Sequence, residues 1–110
     1  MNNSLEENMA EKNQLTEEKY HKMKETEADL VRDLQAVVKD PTQEKDLSAA
    51  IFKNHQKWLQ IIMPNYSTKI HLGIVNAYDN DTRYQSYYDD KAGKGATKIL
   101  SKIVKEHLEK

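Results

Sequence analysis

From Leu15 onward, apolar residues recur at threes and fours: Tyr20, Met23, Leu30, Val31, Leu34 and Val38. That spacing lines them along one side of a helix, and Thr16 is placed to cap its start. The turn around Glu25, Glu27 and Asp29 has little to bury, which predicts the loosest part of this helix. Asp40-Pro41 predicts a stop and a restart, because proline disfavours helical backbone at the residue before it and suits the first position of a new helix. The next stripe, Leu47, Ala50, Ile51, Trp58, Leu59 and Ile62, includes His55 and ends at Met63-Pro64, where a proline cannot supply its backbone donor. Ser67 reads as the cap of a third helix that turns Ile70, His71, Ile74, Val75 and Tyr78 inward. Asp79-Asn80-Asp81 reads as a turn, with Asp81 capping a short fourth helix that carries Tyr84, Tyr87 and Tyr88. After Gly93 and Gly95 comes the clearest amphipathic pattern: Ala96, Ile99, Leu100, Ile103, Val104, His107 and Leu108. The whole predicts an all-α chain, a single bundle of about five helices with a mobile N-terminal segment. Residues 1–14 show no apolar period and are expected to be flexible, with the ordered domain at 15–110.

Length adds that 110 residues hold one domain and one core. The chain contains no cysteine, which removes disulfides, thiolate metal sites and a cysteine nucleophile, and suits a cytoplasmic protein. No apolar run approaches the roughly 20 residues that cross a bilayer, so no membrane partner is expected. The charges are uneven: residues 1–46 carry 12 acidic against 7 basic side chains, and residues 47–110 carry 6 against 10. Such runs are ordinarily solvated faces or pair with one another. Lys94, Lys98, Lys102 and Lys105 form a basic stripe on the last helix, but no aromatic residues or recognition motif accompany it. No direct DNA binding by this chain is expected.

Two histidines, His55 and His71, lie on inward faces without a third or fourth metal ligand at suitable spacing. They read as hydrogen-bonded core or pocket residues, with no metal and no cofactor. Ser67, His71 and Asp81 offer the residue types of a hydrolytic triad, yet Ser67 is better explained as a cap, and no nucleophile elbow, phosphate loop or dinucleotide fingerprint is present. The expectation is no enzyme and no catalytic residue. The aromatics say more. Trp58, Tyr66, Tyr78, Tyr84, Tyr87 and Tyr88 fall within 31 positions. Buried tyrosines each need a hydrogen-bond partner, which makes several together awkward for plain packing. They suit either a cleft whose rings meet a large ligand or a core edge whose phenols reach water.

Read in order, His55-Gln-Lys-Trp58, Asn65-Tyr66-Ser67, His71-Leu-Gly73, Tyr78, Asp81-Thr-Arg83-Tyr84 and Tyr88-Asp89 resemble the pattern of the TipAS family over roughly Thr42 to Leu108. The resemblance implies a helical, globin-like domain that binds bulky, largely apolar antibiotics such as thiopeptides in a cleft. In the family it usually follows a MerR-like DNA-binding region, and its N-terminal part orders over the ligand. By matching positions, Trp58, Ile62, Tyr66, His71, Tyr78, Tyr84 and Tyr88 would line or support the cleft. His55, Asp81 and Arg83 would support it structurally, with Arg83 held by Asp79 or Asp89. Three positions depart from the pattern: Tyr66 where some members trap dehydroamino acids with a cysteine, Thr82 where the family favours proline, and Tyr84 where it favours phenylalanine. Capture here would therefore be reversible and the ligand's neighbourhood more polar.

These readings predict a non-enzymatic recognition domain for a bulky apolar small molecule, either the effector domain of a transcriptional regulator or a stand-alone drug-sequestering protein. The Thr16 to Val38 segment would close over the ligand. The alternatives are a helical protein–protein interaction module, including a homodimer, and a small hydrolase using Ser67 and His71.

Overall fold

The computed structural model describes residues 16–109, so the expected flexible segment at 1–14 lies outside the described residues. The fold is all-α. Among the described residues five α-helices follow one another: α1 (Glu17–Lys39), α2 (Glu44–Ile62), α3 (Thr68–Asn80), α4 (Thr82–Ala92) and α5 (Ala96–Leu108). A single 3-10 turn, Pro41–Gln43, joins the first two.

Each boundary has a local cause. The Thr16 hydroxyl accepts from the Lys19 amide at 3.1 Å, and Glu17 and Glu18 complement the helix dipole in the first turn. Asp40 is extended ahead of Pro41, and its carboxylate takes the Thr42 amide and hydroxyl at 3.1 and 2.6 Å. Met63 is likewise extended before Pro64. The Ser67 hydroxyl caps α3 through the Ile70 amide (3.1 Å), and Asp81 caps α4 through the Arg83 amide (2.9 Å). At α5 the cap position is Gly95, which has no side chain to offer. Asp89, in the last turn of α4, supplies the missing acceptor by taking the Thr97 amide at 2.9 Å. Burial alone would raise the Asp89 carboxyl, but bonds from the Thr97 and Gly95 amides hold it below its usual range.

Helix α5 is the central element and touches all four others. It buries Ala96, Leu100, Ile103 and Val104 against Leu30, Leu34 and Val37 of α1, Ile51 of α2, Val75 of α3, and Tyr88 and Ala92 of α4. Each fully buried Leu, Ile or Val contributes about 1.5–3 kcal/mol. Polar groups on α5 are satisfied as they enter. The Thr97 hydroxyl donates to the Gln85 carbonyl (2.6 Å), and the Ser101 hydroxyl reaches the Val75 carbonyl (3.3 Å) and the Asp79 carboxylate (2.9 Å). Asp79 also takes the Lys105 ammonium, which ties α5 to the end of α3.

Two details differ from the sequence reading. Ala50 is exposed, because the buried edge of α2 runs through Ile51, His55 and Leu59 at steps of four and leaves position 50 a full 100° away. The least buried part of α1 is residues 17–25, which hold no buried side chain; the turn expected to be loosest buries Thr26 and engages Glu27. Between the acidic and basic halves, Lys102 pairs with Glu44 at 2.8 Å. Among the described residues no helix is long and apolar enough to cross a membrane.

Candidate functional site

The apolar stripes of α2 and α3 bring His55 and His71 face to face. His55 Nδ1 lies 2.8 Å from His71 Nε2, and neither ring is exposed. The other two nitrogens are also engaged. His71 Nδ1 lies 2.8 Å from the Tyr66 hydroxyl, and His55 Nε2 lies 3.3 Å from the Tyr78 hydroxyl. Gln56 extends the row, donating from Nε2 to the Tyr66 oxygen at 3.2 Å. A line of polar groups thus runs from the loop between α2 and α3, through two imidazoles, to the middle of the bundle. Burial, and then the neighbouring His71, hold the His55 pKa down to about 3. Burial lowers His71 to about 4, so both rings are neutral at pH 7.

Aromatic rings wall this line on both sides. His55 meets Tyr78 and Tyr88 edge to face, with centroids 6.0 and 6.1 Å away. Phe52 lies parallel to both His71 and His107, at 5.7 and 4.9 Å, so the last turn of α5 stacks on the same group. Burial pushes the Tyr78 phenol up to about 12 and the Tyr88 phenol further still. Tyr88 is fully enclosed. Its hydroxyl makes no hydrogen bond of good geometry, and the Tyr78 phenol beside it acts as a loose partner.

The residues expected from the sequence divide into three groups. Tyr66, His71, His55, Tyr78 and Tyr88 come together in this one assembly. Trp58 and Ile62 are half-buried on α2, and the Trp58 indole nitrogen is covered without an acceptor. Tyr84 stands apart on the outer face of α4, 47% exposed, with the Arg83 guanidinium 5.9 Å from its ring. The sequence reading expected Arg83 to be held by Asp79 or Asp89, and the structure corrects this. Arg83 folds back onto Asp81 with a bond of 2.7 Å to the carboxylate, because the capping residue two positions earlier is the nearer anion. Asp81 therefore does both tasks, as cap and as counter-ion. Ser67 and His71 are not joined: the serine caps α3, and both nitrogens of His71 are taken by other residues.

Three residues outside the expected site make contacts that sequence reasoning did not assign. Gln56 sits beside His55 in chain order and turns to Tyr66. Phe52 precedes His55 by three residues, the one signal that placed it near. Tyr87 donates to the Glu27 carboxylate at 2.6 Å and carries Lys91 over its ring at 4.0 Å, fastening α4 to α1. Two open surface grooves of about 530 and 200 Å³ lie elsewhere, one beside the Pro41 turn and one around Gly95, and neither includes a predicted site residue.

Comparison with known proteins adds one finding. The family model of the TipAS antibiotic-recognition domain matches residues 2–107. No curated protein and no solved structure matches.

Proposed function

The chain belongs to the TipAS antibiotic-recognition family, and we propose that it binds bulky, largely apolar antibiotics of the thiopeptide kind without chemical change. The observation that carries the reading is the family match across nearly the whole chain. The half-buried rings of Trp58, Tyr66 and Tyr78, at the edge of the buried histidine pair, support it, since apolar faces with a few polar handles suit a large, weakly polar guest. Trp58, Ile62, Tyr66, Tyr78 and Tyr84 are the proposed ligand contacts, with His71 and Tyr88 behind them.

The first helix fits the part of a cover. Residues 17–25 bury no side chain, so ligand contact is the natural source of the free energy needed to order them. Whether the chain acts as the effector part of a transcriptional regulator or sequesters drug on its own, the binding step is the same. Titration calorimetry with a thiopeptide should show saturable binding with a negative heat-capacity change, as apolar surface is covered. Absence of heat at tens of micromolar protein would exclude this ligand class.

A further inference from the structure

The row of polar groups through the bundle constrains where its protons lie. Each neutral imidazole carries one N–H. Only one proton fits between His55 Nδ1 and His71 Nε2 at 2.8 Å. If His55 holds it, His71 Nε2 is bare and the His71 proton is on Nδ1. If His71 holds it, His55 Nδ1 is bare and the His55 proton is on Nε2. The two rings therefore share one tautomer, both Nδ1–H or both Nε2–H, and the choice sets the direction of every bond in the row.

The ends of the row decide between them. With both protons on Nε2, the row runs inward: Tyr66 donates to His71, His71 to His55, and His55 to the Tyr78 oxygen. One phenol proton is then left over in the Tyr78–Tyr88 pair, where Tyr88 is fully enclosed and has no other acceptor. A buried donor left without an acceptor carries its full desolvation cost. With both protons on Nδ1, the row runs outward. Tyr78 donates to His55, Tyr88 turns to the freed Tyr78 oxygen, and His71 donates to Tyr66. The leftover proton is now the hydroxyl hydrogen of Tyr66, which is half-buried in the loop between α2 and α3. Its oxygen already accepts from His71 and Gln56, so Tyr66 has nothing left to accept with and a donor to place.

We infer that His55 and His71 are both Nδ1–H tautomers, and that the row they form presents the Tyr66 hydroxyl as a hydrogen-bond donor to an acceptor on the bound guest, such as a carbonyl oxygen or an azole nitrogen. The direction of the row rests on the hydrogen-bond geometry, the neutrality of the two rings and the enclosure of Tyr88; the identity of the guest rests on the function proposed above. Tyr66 is then a specificity-determining residue that rewards an acceptor at one point of the ligand and rejects an N–H there.

Long-range proton–nitrogen correlation spectra of the whole ¹⁵N-labelled chain at neutral pH read the tautomers directly. Both histidines should show a proton on Nδ1 only. A proton on Nε2 of either ring overturns the inference. Calorimetry with a thiopeptide should give binding about tenfold weaker for Tyr66→Phe, the size of one neutral hydrogen bond lost, in a variant whose spectrum keeps the folded dispersion. Equal affinity of the two proteins overturns the donor role of Tyr66. A wild-type chain that takes up no thiopeptide removes the ligand class proposed above, and the histidine spectra still decide the direction of the row.

Discussion

His55 Nδ1 and His71 Nε2 face each other across 2.8 Å, a hydrogen-bond distance that accommodates one proton. The pH dependence of stability follows. Burial, aided at His55 by its neighbour, holds the folded-state pKa values at about 3 and about 4, against about 6.5 for an unfolded histidine. The unfolded chain therefore takes up protons first as pH falls. Stability from the pair is complete above pH ~6.5 and is lost progressively as pH falls, toward pH ~4 for His71 and pH ~3 for His55, at up to about 1.4 kcal/mol per pH unit for each ring. The aspartates whose pKa values are lowered, Asp79 and Asp89 among them, lose their contribution only at more acid pH. Urea melts from pH 7 to 4.5 should show a steadily falling midpoint. A flat profile would mean that the rings are not held neutral by the fold.

The three glycines should respond to alanine in three different ways. Gly93 has φ +116 and ψ 157, a region open essentially to glycine, and a Cβ there would stand 3.0 Å from Val38 Cγ1. Gly93→Ala should cost about 3 kcal/mol, combining backbone strain and overpacking. Gly95, at φ +93, faces open space, so Gly95→Ala should cost only the left-handed strain of about 1–2 kcal/mol. Gly73 lies inside α3 with nothing within 4 Å of its would-be Cβ, and Gly73→Ala should stabilise by about 0.5–1 kcal/mol. Chemical denaturation of the three variants tests the ranking.

Tyr87 fastens α4 to α1 through its bond to Glu27. Tyr87→Phe removes the hydroxyl and leaves the ring under Lys91, so global stability should fall by no more than about 1 kcal/mol at this exposed position. Hydrogen exchange should quicken in α1 around Thr26 while α5 keeps its protection. Faster exchange throughout the bundle would show that the bond supports the whole fold rather than one helix.

Trp58 is a proposed ligand contact that is half-buried in the free chain. Trp58→Ala should weaken thiopeptide binding by about 1–3 kcal/mol, the usual cost of removing an aromatic anchor. A folded variant that binds as wild type does would assign the indole to packing.

Most of the architecture was readable because its breaks are made by single residues with strong local preferences. Asp40-Pro41, Ser67, Asp81 and the pair Gly93 and Gly95 stand at the boundaries they announced. The membership of His55, His71, Tyr66, Tyr78 and Tyr88 in one neighbourhood was legible from the ordered motif. Their bonding was not, because periodicity assigns a residue to a helix face and says nothing of which atom meets which across two helices. Arg83 shows the same limit: the sequence offered three carboxylates within a few residues, and only the cap geometry selects Asp81. Ala50 failed for a simpler reason, since a stripe drawn through threes and fours is wider than the face that α5 and α1 cover.

The stacking of Phe52 between His71 and His107 has a consequence for the carboxyl-terminal end of the chain. One benzene ring is the common wall of a sealed imidazole and of a half-buried one in the final turn. Truncation or crowding at that turn would thus be felt as a loosened partition next to the innermost proton-sharing pair, far along the chain yet one ring's thickness away.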